Sequence, residues 1–139
     1  MTDSVYLTGA AGAEHEARLE TLRARYREMV GEVPPRIERR LNQLSEADPV
    51  LLDLQERLRA HAMYPDCMDQ KTVQLILFGI LVNQLSDASI IHGRAARRAG
   101  ASWEEMQAVV NLAYLFGGTS CANRGAEFLE RIAAREAEA

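Results

Sequence analysis

Lys71-Thr72-Val73-Gln74-Leu75-Ile76-Leu77-Phe78-Gly79-Ile80-Leu81-Val82-Asn83 is the stretch that decides the fold. Its apolar residues fill almost every face of a helical period, and they do not alternate as a half-buried strand would. A helix that is hydrophobic all round belongs in the centre of a bundle or in an oligomer interface. Asp69 is placed to cap it, so the helix is expected over about Asp69 to Leu85. Its apolar run, Leu75 to Val82, is far short of the roughly 20 residues that cross a bilayer.

Outward from this segment the pattern is helix after helix. Upstream, a first helix is expected from about Glu14 to Val30, with Leu19, Leu22, Tyr26, Met29 and Val30 as its apolar stripe and His15 on its polar side. Gly31 and Pro34-Pro35 end it and turn the chain. A second helix follows from about Pro35 to Leu44, and Asp48-Pro49 opens a third that ends near Tyr64-Pro65. Downstream, a fifth helix is expected over about Ser86 to Ala99, stopped by Gly100. Ser102-Trp103-Glu104-Glu105 has the form of a capping box that starts a sixth. Gly117-Gly118 breaks that helix, and a seventh from about Ser120 frays from Arg135 onward. Residues 1–12 are expected to be a flexible N-terminus, and 13–139 a single domain with its core at 69–134.

The 139 residues are 47% hydrophobic and 26% charged, which is a globular composition. A net charge of −4 argues against a dedicated nucleic-acid binder, whose phosphate contacts need a basic face. Met1-Thr2-Asp3-Ser4 carries neither the basic region nor the apolar core of an export signal, so a cytoplasmic protein is expected, with no membrane partner. Cys67 and Cys121 have no CxxC or metal-ligand spacing, and each reads first as a small buried hydrophobe. A reactive thiol or a bridge between them is the alternative. No His, Asp or Glu cluster has metal spacing either, so no metal is expected.

The block from Lys71 to Ile132 resembles the carboxymuconolactone decarboxylase family. Lys71-Thr72-Val73-Gln74-Leu75-Ile76 is similar to the start of the family's core helix, and Asn83 through His92 to its active-site segment. Arg94 through Ser102 resembles the second core helix and its turn, and Trp103-Glu104-Glu105 with Phe116-Gly117-Gly118 completes the pattern. The resemblance implies an all-α, alkylhydroperoxidase D-like bundle of about six to seven helices that assembles as a homotrimer or homohexamer. It also implies one of two chemistries. The peroxidase branch uses a CxxC pair with a histidine four residues after the second cysteine. Counting back from His92, those thiol positions hold Ala88 and Leu85, neither of which can form a thiolate. Asp87 stands at the intervening relay position, and Gln74 where that branch has an upstream glutamate.

The decarboxylase branch lacks the CxxC and keeps the histidine, so His92 carries over as a general acid–base. The expected function is therefore a cofactor-free lyase or isomerase acting on a small carboxylated lactone or aromatic-catabolism acid. His92 and Asp87 are its candidate catalytic residues, and Gln74 and Arg124 its candidate substrate-binding residues. Each also has a plainer reading. His92 lies among Ala88, Ala95, Ala96 and Ala99 and fits a close helix contact; Asp87 fits a first turn. Gln74 fits a backbone partner, and Arg124 an interhelical or intersubunit salt bridge. Arg94, Arg97 and Arg98 read as a solvated helix face. Two other functions stay open, a peroxiredoxin-like antioxidant using Cys67 or Cys121 and a non-catalytic oligomeric ligand-binding homologue.

Overall fold

The computed structural model describes residues 9–139, and among them are seven helices and no strand. They are α1 (Gly9–Val30), α2 (Pro35–Ala47), α3 (Pro49–Met63), α4 (Gln70–Asn83), α5 (Ala88–Arg98), α6 (Trp103–Gly117) and α7 (Thr119–Glu138). The expected flexible stretch lies outside the described residues up to residue 8. From Gly9 the chain is already helical, ahead of the expected start at Glu14, where Ala10, Ala11 and Ala13 supply high helix propensity. The chain packs as two compact units that divide between Met63 and Tyr64.

In the first unit α2 packs on both α1 and α3. The α1 stripe Leu19, Leu22, Tyr26, Met29 and Val30 is buried as its spacing predicts, as are Leu41 of α2 and Leu52 of α3. His15 departs from expectation. It is 7% exposed, because the stripe continues one turn upstream through position 15, four residues before Leu19. A polar knot ties the unit together. The Tyr26 hydroxyl donates to Glu56 Oε1 at 2.8 Å, and Arg40 Nη2 donates to that same oxygen at 2.6 Å. The Arg59 guanidinium lies 4.3 Å from the centre of the Tyr26 ring. Burial, opposed by Arg59 and reinforced by the Glu56 hydrogen bond, pushes the Tyr26 phenol up to about 12.

The second unit is a bundle of α4 to α7 in which α4 packs on each of the other three. Phe78 and Val82 of α4 meet Ala96, Met106, Val110, Phe128 and Ile132 in its core. Asp69 caps α4, accepting from Thr72 N at 2.7 Å, and Ser102 with Glu105 forms both bonds of the capping box of α6. The helices also end by matching devices. Leu85 N reaches Val82 O and Ser86 N reaches Leu81 O, a Schellman closure that holds Leu85 at φ 55°. At the end of α5 the same pattern holds Gly100, at φ 104°.

Two details of this unit differ from the sequence reading. Arg97 is no solvated residue: it pairs with Glu136 at 2.7 Å, donates to Ala101 O, and covers the Trp103 ring at 4.1 Å. That tie holds α7 helical through Glu138, past the expected fraying at Arg135. The central helix α4 is also open on one side. Ile76 and Ile80, each about half exposed, line with Leu112 and Phe116 of α6 an apolar groove of about 520 Å³. No described helix is long and apolar enough to cross a membrane.

Candidate functional site

The four candidate residues come together as two pairs. The first joins α4 to α5. Gln74 lies in the second turn of α4 and is 1% exposed, because its position falls on the buried Val73–Phe78 side of the helix. His92, half-buried on α5, has its Nδ1 2.8 Å from Gln74 Oε1. Gln74 Nε2 is 3.4 Å from Gln70 Oε1, which orients the amide so that its oxygen faces the imidazole. An amide oxygen only accepts, so Nδ1 carries the hydrogen.

The second pair joins α5 to α7. Asp87 is the residue that precedes α5, yet its side chain makes no capping hydrogen bond. Its Oδ1 instead accepts from Arg124 Nη2 at 2.8 Å, with Arg131 Nη1 at 3.7 Å. Arg124 also donates to Glu127 at 2.9 Å, and its guanidinium lies 4.8 Å from the centre of the Phe128 ring. The sequence left Arg124 open between a salt bridge and a carboxylate site. Its ion pair with Asp87, each side chain about a third exposed, is interhelical.

Ser86 and Ser89 separate. Ser86 Oγ accepts from Ala88 N at 3.2 Å, which is a capping role. Ser89 does not cap. It is fully buried, its Oγ has no hydrogen-bond partner, and it lies one turn before His92 on the same side of α5. The Ser-x-x-His spacing was the available signal for that placement. Asn83, the other amide of this helix besides Gln70 and Gln74, is exposed in the last turn of α4.

The thiols differ as well. Cys121 is 1% exposed, as a small hydrophobe would be, with its Sγ 3.6 Å from Val82 O. Cys67 is exposed, contrary to the buried reading, because it sits in the loop before α4. Both are free. Among the described residues no three His, Cys, Asp or Glu side chains are placed to hold a metal ion.

The model of the carboxymuconolactone decarboxylase family matches residues 49–131, from the first residue of α3 into α7 and over more than half of the chain. The chain belongs to the carboxymuconolactone decarboxylase family. It has the all-helical architecture expected of such a protein. Comparison with curated proteins and with solved structures returned no match.

Proposed function

We propose that this protein is a cofactor-free lyase or isomerase of the carboxymuconolactone decarboxylase type, acting on a small carboxylated lactone or a related aromatic-catabolism acid. The observation that carries the reading is the 2.8 Å bond between His92 Nδ1 and the buried Gln74 oxygen. A proton shuttle needs its ring held in one orientation through both charge states. An amide oxygen meets that need, because it accepts the Nδ1 hydrogen from imidazole and imidazolium alike.

In the proposed reaction the bond between the substrate carboxylate and its ring carbon breaks and CO₂ leaves. Its electron pair stays on the ring, delocalised toward the lactone carbonyl as a dienolate. His92 Nε2–H then protonates carbon, and solvent returns the proton to the imidazole. Arg124 serves as the cation that draws the substrate carboxylate to this end of the bundle, and Asp87 holds the guanidinium until the substrate arrives. A homotrimer or homohexamer is part of the same proposal. It is supported by the open α4–α6 groove and by Phe116 at 95% exposed, and light scattering would read it directly. The test of function is CO₂ release from γ-carboxymuconolactone and a small panel of related acids. Turnover of at least one member is expected; none on any member overturns the proposed activity.

A further inference from the structure

A second cavity, of about 370 Å³, lies in the first unit between α1 and α3, and nothing in the proposed reaction uses it. Its size falls in the range that encloses small organic ligands. Leu19 and Leu22 of α1 and Leu52 of α3 give it apolar, buried walls. Glu56 is also in the wall. It is 3% exposed, with Oε1 already engaged by Tyr26 and Arg40 and Oε2 buried without any hydrogen-bond partner. A buried carboxylate oxygen without a donor is costly, which favours a ligand that brings one.

The mouth has the opposite character. Arg18 and Arg25, two turns apart on one face of α1, line the cavity, and neither has an ion pair among the described residues. Arg57 lines it too, but Asp53 faces it at 3.6 Å. The Glu56 charge is matched by Arg40, so the uncompensated charge at the cavity is the pair of guanidiniums. An anionic group at the mouth and a hydroxyl at the inner wall fit these two ends.

We propose that this cavity binds a small hydroxylated carboxylic acid. The apolar body lies between Leu19, Leu22 and Leu52, the hydroxyl donates to Glu56, and the carboxylate is held by Arg18 and Arg25. The site is independent of His92 and of the reaction proposed there.

The experiment is calorimetric titration of the full chain with para-hydroxyphenylpropionate and, in parallel, with phenylpropionate, which lacks the hydroxyl. Saturable one-site binding of the hydroxy acid is expected, weaker by about tenfold or more in an Arg18→Gln/Arg25→Gln double variant. Both arginines are exposed, so the double variant folds, and circular dichroism checks it. The acid without the hydroxyl binds several-fold more weakly, and His92→Ala leaves binding unchanged. No saturable binding, equal affinity for the two acids, or binding that the double variant leaves intact overturns the proposal.

Discussion

His92 Nδ1 and Gln74 Oε1 are 2.8 Å apart across the α4–α5 contact, and the glutamine side of that bond is almost fully buried. A buried amide in a helix whose other buried residues are Val73, Phe78 and Val82 has few polar alternatives, so the bond fixes the ring as much as it satisfies the amide. Gln74→Leu keeps the volume and removes the acceptor. Turnover is expected to fall about 10- to 100-fold with His92 still present, a share of what acid–base catalysis contributes. Nitrogen NMR of the imidazole provides a check that needs no substrate: the wild type shows the Nδ1–H tautomer, and the variant a mixture.

Asp87 and Arg124 pair at 2.8 Å while each remains about a third exposed. Ion pairs of this kind contribute about 1 kcal/mol or less. Asp87→Asn and Arg124→Gln are therefore expected to leave the urea midpoint nearly unchanged. Under the proposed carboxylate role, Arg124→Gln raises KM more than it lowers kcat. A large loss of stability in either variant would instead make the pair structural.

Gly93, next to His92, is a packing position. A methyl group there would overlap Ile132 Cδ1 and crowd Met106 Cε and Phe78 Cδ2 at 3.2 Å. Gly93→Ala is expected to cost about 1–3 kcal/mol by overpacking, read from chemical unfolding.

Tyr26 gives the first unit a dependence on alkaline pH. Its folded value is about 12 against an ordinary 10.0, raised first by burial. The folded state therefore holds its proton where the unfolded chain has lost it. This contribution is present in full below pH 10 and is lost as pH rises from 10 through about 12. Urea midpoints measured across that window should fall, and the fall should be smaller in Tyr26→Phe.

Much of the fold was legible because it is written in local chemistry. The Asp69 cap, the Ser102–Glu105 capping box, and the stops at Gly31, Gly100 and Gly118 each stand where the sequence puts them. What escaped was tertiary. Nothing in a helical period says that Arg97 reaches Glu136, or that His15 extends the buried stripe of α1. The turn at Leu85 carried no glycine to announce its left-handed backbone. For the candidate site, the sequence supplied its members without their pairing. Asp87 was a candidate because it stands at the relay position counted back from His92, but partners are chosen across helices, where Asp87 meets Arg124 and His92 meets Gln74.

The most direct measurement is decarboxylation of γ-carboxymuconolactone and related acids by the wild type and by His92→Ala, with folding checked by circular dichroism. If His92 is the proton donor, the folded variant loses turnover by about 100-fold or more. Full turnover in His92→Ala would contradict that assignment.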